Sequence, residues 1–402
     1  MKVLQINATV NTGSTGRIAE DIGKVLIHNG HESYIAYGRG NRTSKSTLIK
    51  IGSDFDVYSH GLKTLLTDRH GFGSKKATLK LIEQIEQIKP DVIGLHNLHG
   101  YYINIEILFN FLSISNIPVL WTLFDCWAFT GHCTYFDDIN CIKWQTHCEK
   151  CPKYKNYPSS WFDNSFKNFE DKKELFSKLS NLEFVTHSNW LGGLVKKSFL
   201  KNFKVHVTPS AINLNLFKQT PSKLKQQYGF ENKKILLGCA SIWSNRKGYD
   251  DFLKLNTIID TFEYQIVLIG LNDKEIKNLP INILGIKRTE STQELAQWYS
   301  IADVFINPTS QDNFPTTNLE SLACGTPVIT YNTGGSPESI DTETGVVVEK
   351  GNVEGLLNAI EVISKKNRPI LSENCRKRAE LLFNDETRFL DYLNIFKVMT
   401  QK

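Results

Sequence analysis

"KVLQINATVNTGSTGRIAEDIGKVLIHNGHESYIAY", residues 2–37, is the stretch on which the fold turns. It opens with a short strand-like run, "KVLQIN". It continues with "GRIAEDIGKVLIHNG", where Ile18, Ile22, Val25 and Leu26 recur on one helical face, and it closes with "ESYIAY", again strand-like. Ser14 or Thr15 is the expected cap of the helix, and Gly30 its expected stop. Strand, helix and strand in that order make a βαβ unit, whose two strands lie parallel. The helix then starts at the C-terminal edge of the sheet.

The same alternation runs outward along the chain. "LKLIEQIEQIKP" precedes "DVIGLH", and "IPVLWTLFD", "EFVTHS" and "KVHVTPS" extend the sheet until it closes near Val207. Residues 209–232 are a polar connection, after which "KKILLGCAS", "GYDDFLKLNTIID", "EYQIVLIG", "TQELAQWYSIA", "DVFINPT" and "NLESLACGTPVITYN" repeat the pattern. At 402 residues with 41% hydrophobic composition, the chain exceeds what one core usually organises. The expected fold class is therefore α/β, with two doubly wound, Rossmann-like domains facing a central cleft. The N-terminal domain is expected over residues 1–208, with a Cys-rich insertion at about 126–165, and the C-terminal domain over 209–385. A last helix at 386–402 is expected to pack back toward the N-terminal domain.

Composition excludes several classes. The net charge of +5 is modest, and Lys and Arg are dispersed rather than gathered into a basic tail, so no nucleic acid partner is expected. "MKVLQINATV" is too short and too polar for a signal segment, and no apolar run approaches bilayer length. A cytoplasmic protein with reduced thiols is the reading.

The densest chemistry lies in "NPTSQDNFPTTNLESLACGTPVITYNTGGSPESI", residues 307–340. Asp312 ends a strand-to-loop turn and Glu320 lies one turn into the next helix, so both carboxylates are expected at one cleft, where they suit the hydroxyls of a sugar or ribose. Gly334 and Gly335 precede a short helix whose free N–H groups suit a phosphate.

The acid-x7-acid spacing, "LACGTPVI" and "TGGSPE" resemble the retaining glycosyltransferases of family 4, which have the two-Rossmann GT-B fold. "NTGSTGRIAEDI", "HNLHGYYIN", "TPSAINLNLF" and "SNRKGYDDF" fall in the expected order, and enzymes of bacterial surface-polysaccharide assembly are especially similar. The resemblance implies a metal-independent transfer of a sugar from a UDP- or GDP-linked donor to a hydroxyl of a glycan or lipid-linked oligosaccharide. Glu320 matches the acid that holds the nucleotide ribose, and Asp312 the acid that reaches the donor sugar, a position more often Glu. Lys247 matches the phosphate-binding lysine and Gly16 the N-terminal glycine-rich loop. Two positions depart from the pattern: Ser241 stands where the family often has Arg, and Phe124 where it often has His before Asp125. Arg246 is the expected replacement for the charge, and His96, His99 or His132 for the imidazole. The rival readings are a non-catalytic subunit that binds sugar nucleotides, and a phosphorylase or epimerase on the same fold.

Three further stretches call for a reading. "DRHGFGSKK", residues 68–76, is either an acceptor loop or a solvated connection, and "DFD" at 54–56 is weakly like a metal-binding D-x-D. A lipid-linked acceptor implies peripheral contact with the inner membrane surface, with Lys63, Leu65, Leu66, Arg69, Lys75 and Lys76 as candidates. Finally, "CWAFTGHCTYFDDINCIKWQTHCEKCP" holds five of the eight cysteines. Cys133, Cys141, Cys148 and Cys151 are read as a structural zinc site restraining an insertion without a regular core; packing as small hydrophobes and disulfides are the alternatives. Cys126, Cys239, Cys324 and Cys375 read as packing residues.

Overall fold

The structure is a computed structural model that describes residues 1–401. Its chain forms two compact units. One comprises Met1–Thr208 together with the stretch from Phe389 onward, and the other Pro209–Arg388.

The first unit is built on a seven-stranded parallel sheet of β1 (Lys2–Asn7), β2 (Glu32–Tyr37), β3 (Thr47–Lys50), β4 (Val92–Leu95), β5 (Val119–Leu123), β6 (Leu182–Thr186) and β7 (Lys204–Val207). Their spatial order is β3-β2-β1-β4-β5-β6-β7. Both faces carry helices, which is why β5 and β6 are buried at every residue and read as unbroken apolar runs. Trp121 of β5 packs against Phe109, Phe176 and Phe184, and its indole N–H donates to the His96 carbonyl at 2.9 Å. Truncation of such a side chain to Ala costs about 3–5 kcal/mol.

The second unit repeats the plan with β8 (Lys234–Cys239), β9 (Tyr264–Ile269), β10 (Ile283–Ile286), β11 (Val304–Asn307), β12 (Val328–Tyr331) and β13 (Gly345–Val348), ordered β10-β9-β8-β11-β12-β13 and parallel throughout. In each unit the chain reverses its winding direction at one place, between β1 and β4 in the first and between β8 and β11 in the second. Within each unit, loops leaving the C-terminal ends of its two strands meet there, and open α/β sheets bind their ligands at such a point.

Local details depart from the sequence reading. The first helix runs Gly13–His28, so Thr12 rather than Ser14 or Thr15 stands at its cap. Asn29 is the C-cap, its side chain donating to the Val25 carbonyl at 2.8 Å, and Gly30 follows at φ of +77°, the left-handed stop expected of it. "DFD" opens a helix, Asp54–Thr67, in which Asp56 and Ser53 form a reciprocal cap. Residues 68–76 are firmly packed: Arg69 is paired with Asp171 at 2.6 Å, and Asp68 is buried against His132. Arg69 is thereby withdrawn from the candidate surface set. The insertion does have a small core, in which Phe129, Phe136 and Trp144 are buried and Trp144 stacks on Phe136. The final helix, Asp385–Thr400, buries Phe389, Tyr392, Phe396 and Met399, and Tyr392 accepts a hydrogen bond from Thr122 of β5.

Candidate functional site

At the reversal point of the second unit, the loop after β8 carries Arg246 and Lys247 and the loop after β11 carries Asp312. The two loops are tied by backbone and side-chain bonds. Ser310 N–H donates to the Arg246 carbonyl at 2.8 Å, and the Arg246 guanidinium donates to the Gln311 carbonyl at 3.0 Å. Lys247 Nζ and Asp312 Oδ2 form an ion pair at 2.6 Å, with the side chains 25% and 17% exposed. Arg246 is thus used to hold the loops, while Lys247 keeps a partly open ammonium beside a carboxylate.

The loop after β12 closes on the same place. Gly334 has φ of +55°, and a Cβ there would lie 1.8 Å from the Asp312 carbonyl oxygen, so only glycine fits. Gly335 N–H donates to that carbonyl at 3.3 Å. The close approach that these glycines permit is therefore to the backbone of Asp312. Beside them, the hydroxyls of Thr333 and Ser336 are buried without a hydrogen-bond partner.

Glu320 sits in the helix Thr316–Ala323 and accepts a hydrogen bond from the Tyr299 hydroxyl at 2.9 Å. Burial, then the neighbouring carboxylate, pushes the Tyr299 phenol well above its usual range, so it remains a donor at any physiological pH. Burial likewise pushes the nearby Cys239 thiol up to about 12. Tyr299 has no signal in the sequence, since it reads as one more apolar position of its helix. The structure brings Lys247, Asp312, Gly334 and Gly335 together; Glu320 is held separately, by Tyr299.

In the first unit, Gly16 lies in the first turn of its helix, where a Cβ would meet the Thr9 hydroxyl at 2.7 Å. Small size is what lets the helix seat against the loop after β1. At the end of β4, His96 and His99 have opposite fates. His96 is buried, with Nε2 hydrogen-bonded to Gln5 at 2.8 Å, and burial pulls its pKa down to about 3. It is a neutral core residue. His99 is part-exposed, with Nε2 2.7 Å from Asp125 and Nδ1 3.0 Å from the Tyr157 hydroxyl. The tautomer that donates from Nε2 to Asp125 also accepts from Tyr157 at Nδ1. Asp125 is fixed in turn by the Trp127 N–H at 2.9 Å. His99, Asp125 and Trp127 line a small pocket, together with Phe124. Phe124 itself packs against His96 and His187, while His132 is committed to Asp68. Of the three histidines considered for the missing imidazole, His99 is the one whose residue is not buried. Tyr157, which arrives from the Cys-rich insertion, was not legible in the sequence.

Cys133, Cys141, Cys148 and Cys151 line one pocket within the insertion. Among the described residues, no group of three or more His, Cys, Asp or Glu side chains is arranged as it stands to hold a metal ion.

Residues 233–366, the segment bearing Lys247, Asp312, Glu320 and both glycines, match the family described as Glycosyl transferases group 1. The likeness to a group 1 glycosyl transferase domain is that of this segment, 134 of the 402 residues. The chain is 27% identical over 202 residues to the "Putative colanic acid biosynthesis glycosyl transferase WcaC" of Escherichia coli (strain K12), covering 47% of this chain and 49% of that one. It is 24% identical over 212 residues to the capsular polysaccharide biosynthesis glycosyltransferase CapM of Staphylococcus aureus, covering 48% and 55%. The matches thus span about half the length of these curated relatives. Among solved structures, Anabaena HepE in complex with UDP superposes with a TM-score of 0.71 at 15% identity, covering 99% of this chain and 100% of that one. Sucrose-phosphate synthase of Thermosynechococcus elongatus also gives 0.71, at 17% identity, covering 99% and 98%. Two parallel-sheet Rossmann-like units with the fold of GT-B glycosyltransferases are therefore established.

Proposed function

We propose that the chain is a retaining, metal-independent glycosyltransferase of surface-polysaccharide assembly, which moves a sugar from a nucleotide-diphosphate donor to a hydroxyl of a lipid-linked glycan. The observation that carries this reading is the Lys247–Asp312 pair at the reversal point of a group 1 domain. A diphosphate bound there meets an ammonium already positioned by its carboxylate partner, and the charge that grows on the leaving phosphate oxygen is met by Lys247 without reorganisation. The unpartnered hydroxyls of Thr333 and Ser336 supply further donors beside it. Glu320, oriented by Tyr299, takes the ribose hydroxyls. HepE was solved with UDP and with UDP-glucose, so uridine nucleotides are the first donors to test.

Retention follows if the acceptor oxygen bonds to the anomeric carbon on the face from which the diphosphate leaves. The C–O bond to the diphosphate breaks, and the acceptor proton passes to the departing phosphate oxygen. In the first unit, His99, held by Asp125 and Tyr157, is the group that contacts the acceptor hydroxyl.

The acceptor's lipid implies contact with the inner membrane surface. The helix Asp54–Thr67 supports this, because its amphipathicity is inverted. His60 and Thr64 are buried, while Phe55, Tyr58, Leu62 and Leu66 lie exposed. Trp161 N–H donates to the Leu65 carbonyl at 2.8 Å, which adds an exposed indole to the same stripe. Lys63, Lys75 and Lys76 lie nearby in the chain and are exposed, a pairing suited to an anionic lipid surface. Among the described residues, no helix is long and apolar enough to cross a membrane.

The test is a thermal-shift screen of UDP- and GDP-sugars, followed by transfer to lipid-linked acceptors with EDTA present and assignment of the anomeric configuration by NMR. A raised melting temperature and a retained anomer, insensitive to chelator, are expected. Donor binding without turnover across an acceptor panel would instead mark a binding subunit. Phosphate dependence, or turnover without acceptor, would mark a phosphorylase or epimerase.

A further inference from the structure

The insertion between β5 and the helix Ser165–Ser177 contains only two short 3-10 turns, Trp127–Phe129 and Lys143–Gln145. Yet it brings cysteines 8, 7 and 3 residues apart in sequence to the wall of one pocket. All four are free thiols. Lys150, inside the C-x2-C pair, is held at φ of +47°. A cysteine that merely fills space needs no such strained turn, whereas two ligands set three residues apart are positioned by one.

A second, independent observation concerns charge. Lys172 is 1% exposed, its ammonium donates to the carbonyls of Trp127 and Thr130 at 2.8 and 3.1 Å, and it lies 3.6 Å over the Trp127 ring. It therefore reaches beneath the insertion, where Cys148 and Cys133 are among the groups that act on it electrostatically. Asp68 and Asp125 also act on it, and an anionic cluster at the cysteines would add to the compensation that these carboxylates give a buried ammonium.

We propose that Cys133, Cys141, Cys148 and Cys151 bind one zinc ion as a closed four-thiolate site that pins the insertion. The four thiols release their protons, four Zn–S bonds form, and the resulting cluster carries two negative charges, which Lys172 offsets in part. Since the side chains as they stand do not already form a metal-holding group, closure includes rotation of the thiols toward a common centre. With no ligand position left for water, the ion takes no part in the transfer chemistry. Its effect reaches the acceptor side through Tyr157, which the insertion presents to His99.

The experiment is elemental analysis of the full chain expressed with zinc and purified without chelator, paired with cobalt(II) substitution. About one zinc per chain that survives dialysis, and an intense thiolate-to-cobalt charge-transfer spectrum, are expected. The variant Cys148→Ser/Cys151→Ser should lose both. If that variant does not fold, the cobalt spectrum of the unaltered chain decides. Less than about a tenth of an equivalent of zinc overturns the proposal, as does a cobalt spectrum without thiolate character, or zinc retained in full by the folded double variant. Donor binding is measured on the same samples, so failure of the metal site and failure of the transferase reading are separable.

Discussion

Replacing Lys247 by Ala tests the donor site where its geometry is most explicit. The ammonium sits 2.6 Å from Asp312 and is 25% exposed, so it is neither a core residue nor a freely solvated one. A unit charge about 4 Å from one charge of a bound diphosphate, at an effective dielectric of about 20, is worth about 4 kcal/mol. Part of that is already used on Asp312, which must share the lysine when the donor binds. A net loss of about 3 kcal/mol, or about a hundredfold in kcat/KM, is therefore expected. Because negative charge on the leaving oxygen grows toward the transition state, kcat should fall more than donor affinity. Removal of the lysine also strands Asp312 beside the diphosphate. The double variant Lys247→Ala/Asp312→Ala should accordingly lose less than the two single variants together, by about 1 kcal/mol or more. Steady-state kinetics with calorimetric donor titration gives each quantity, and an unchanged melting temperature confirms that the fold is intact. Turnover within about twofold of the unaltered enzyme, or additivity within about 0.4 kcal/mol, would refute the reasoning.

Glu320→Gln should weaken nucleotide binding by about 1.5–3 kcal/mol through loss of a charge-assisted contact, and Tyr299→Phe should do so more weakly; calorimetry showing equal affinities removes the ribose assignment. Acid should destabilise the first unit, because His60, His96 and His187 are held by burial at pKa values of about 4, 3 and 4. The unfolded chain takes up these protons near pH 6.5 and the folded chain does not, so their stabilising contribution is full above pH 6.5 and is lost as pH falls toward 3–4. The loss is at most about 2 kcal/mol per imidazole by pH 5. Urea unfolding between pH 7.5 and 5 reads this directly, and a flat profile contradicts it. Phe55→Ser with Tyr58→Ser should cut flotation on anionic vesicles at low salt severalfold while leaving donor binding unchanged, and absence of flotation by the unaltered chain would remove the membrane contact.

How far the sequence could be read depended on which forces wrote each segment. Strands buried on both faces, such as β5 "VLWTL" and β9 "YQIVLI", declared themselves as apolar runs. The strands that escaped notice are β3, β10 and β13, all four residues long and all at a sheet edge, where fewer positions must be apolar. The helix Asp54–Thr67 was hidden by its inversion, since a pattern argument places Phe55 and Tyr58 inwards and the structure leaves both exposed. At the site, Lys247 and Asp312 were legible from local motifs, but their mutual contact spans 65 positions and was not. Tyr299 and Tyr157 act through partners 21 and 58 residues away, and no local pattern announces them. His96 and His99 looked alike because both end one strand. Burial and a glutamine partner separate them, and neither is visible in "HNLHG".

The two units share one strand order but treat their reversal points differently, and the difference bears on how work is divided between them. In the first, the polar groups nearest the sheet are largely satisfied by one another. Gln5 bonds the Ala19 carbonyl and His96, and the Asn7 side chain binds Thr9 and the Asn97 backbone N–H. What remains on offer is the His99 imidazole with its carboxylate and phenol, together with His96 Nδ1 and Asn97 Oδ1, which are buried without a partner. In the second, an ammonium, two unpartnered hydroxyls and a glycine-closed loop stand at the corresponding place. An unsatisfied, cation-bearing point suits a diphosphate, and an imidazole in an aromatic-walled pocket suits a neutral hydroxyl. On the proposed function, the same topology would hold the donor in one unit and the acceptor in the other, through the chemistry of a few loop residues.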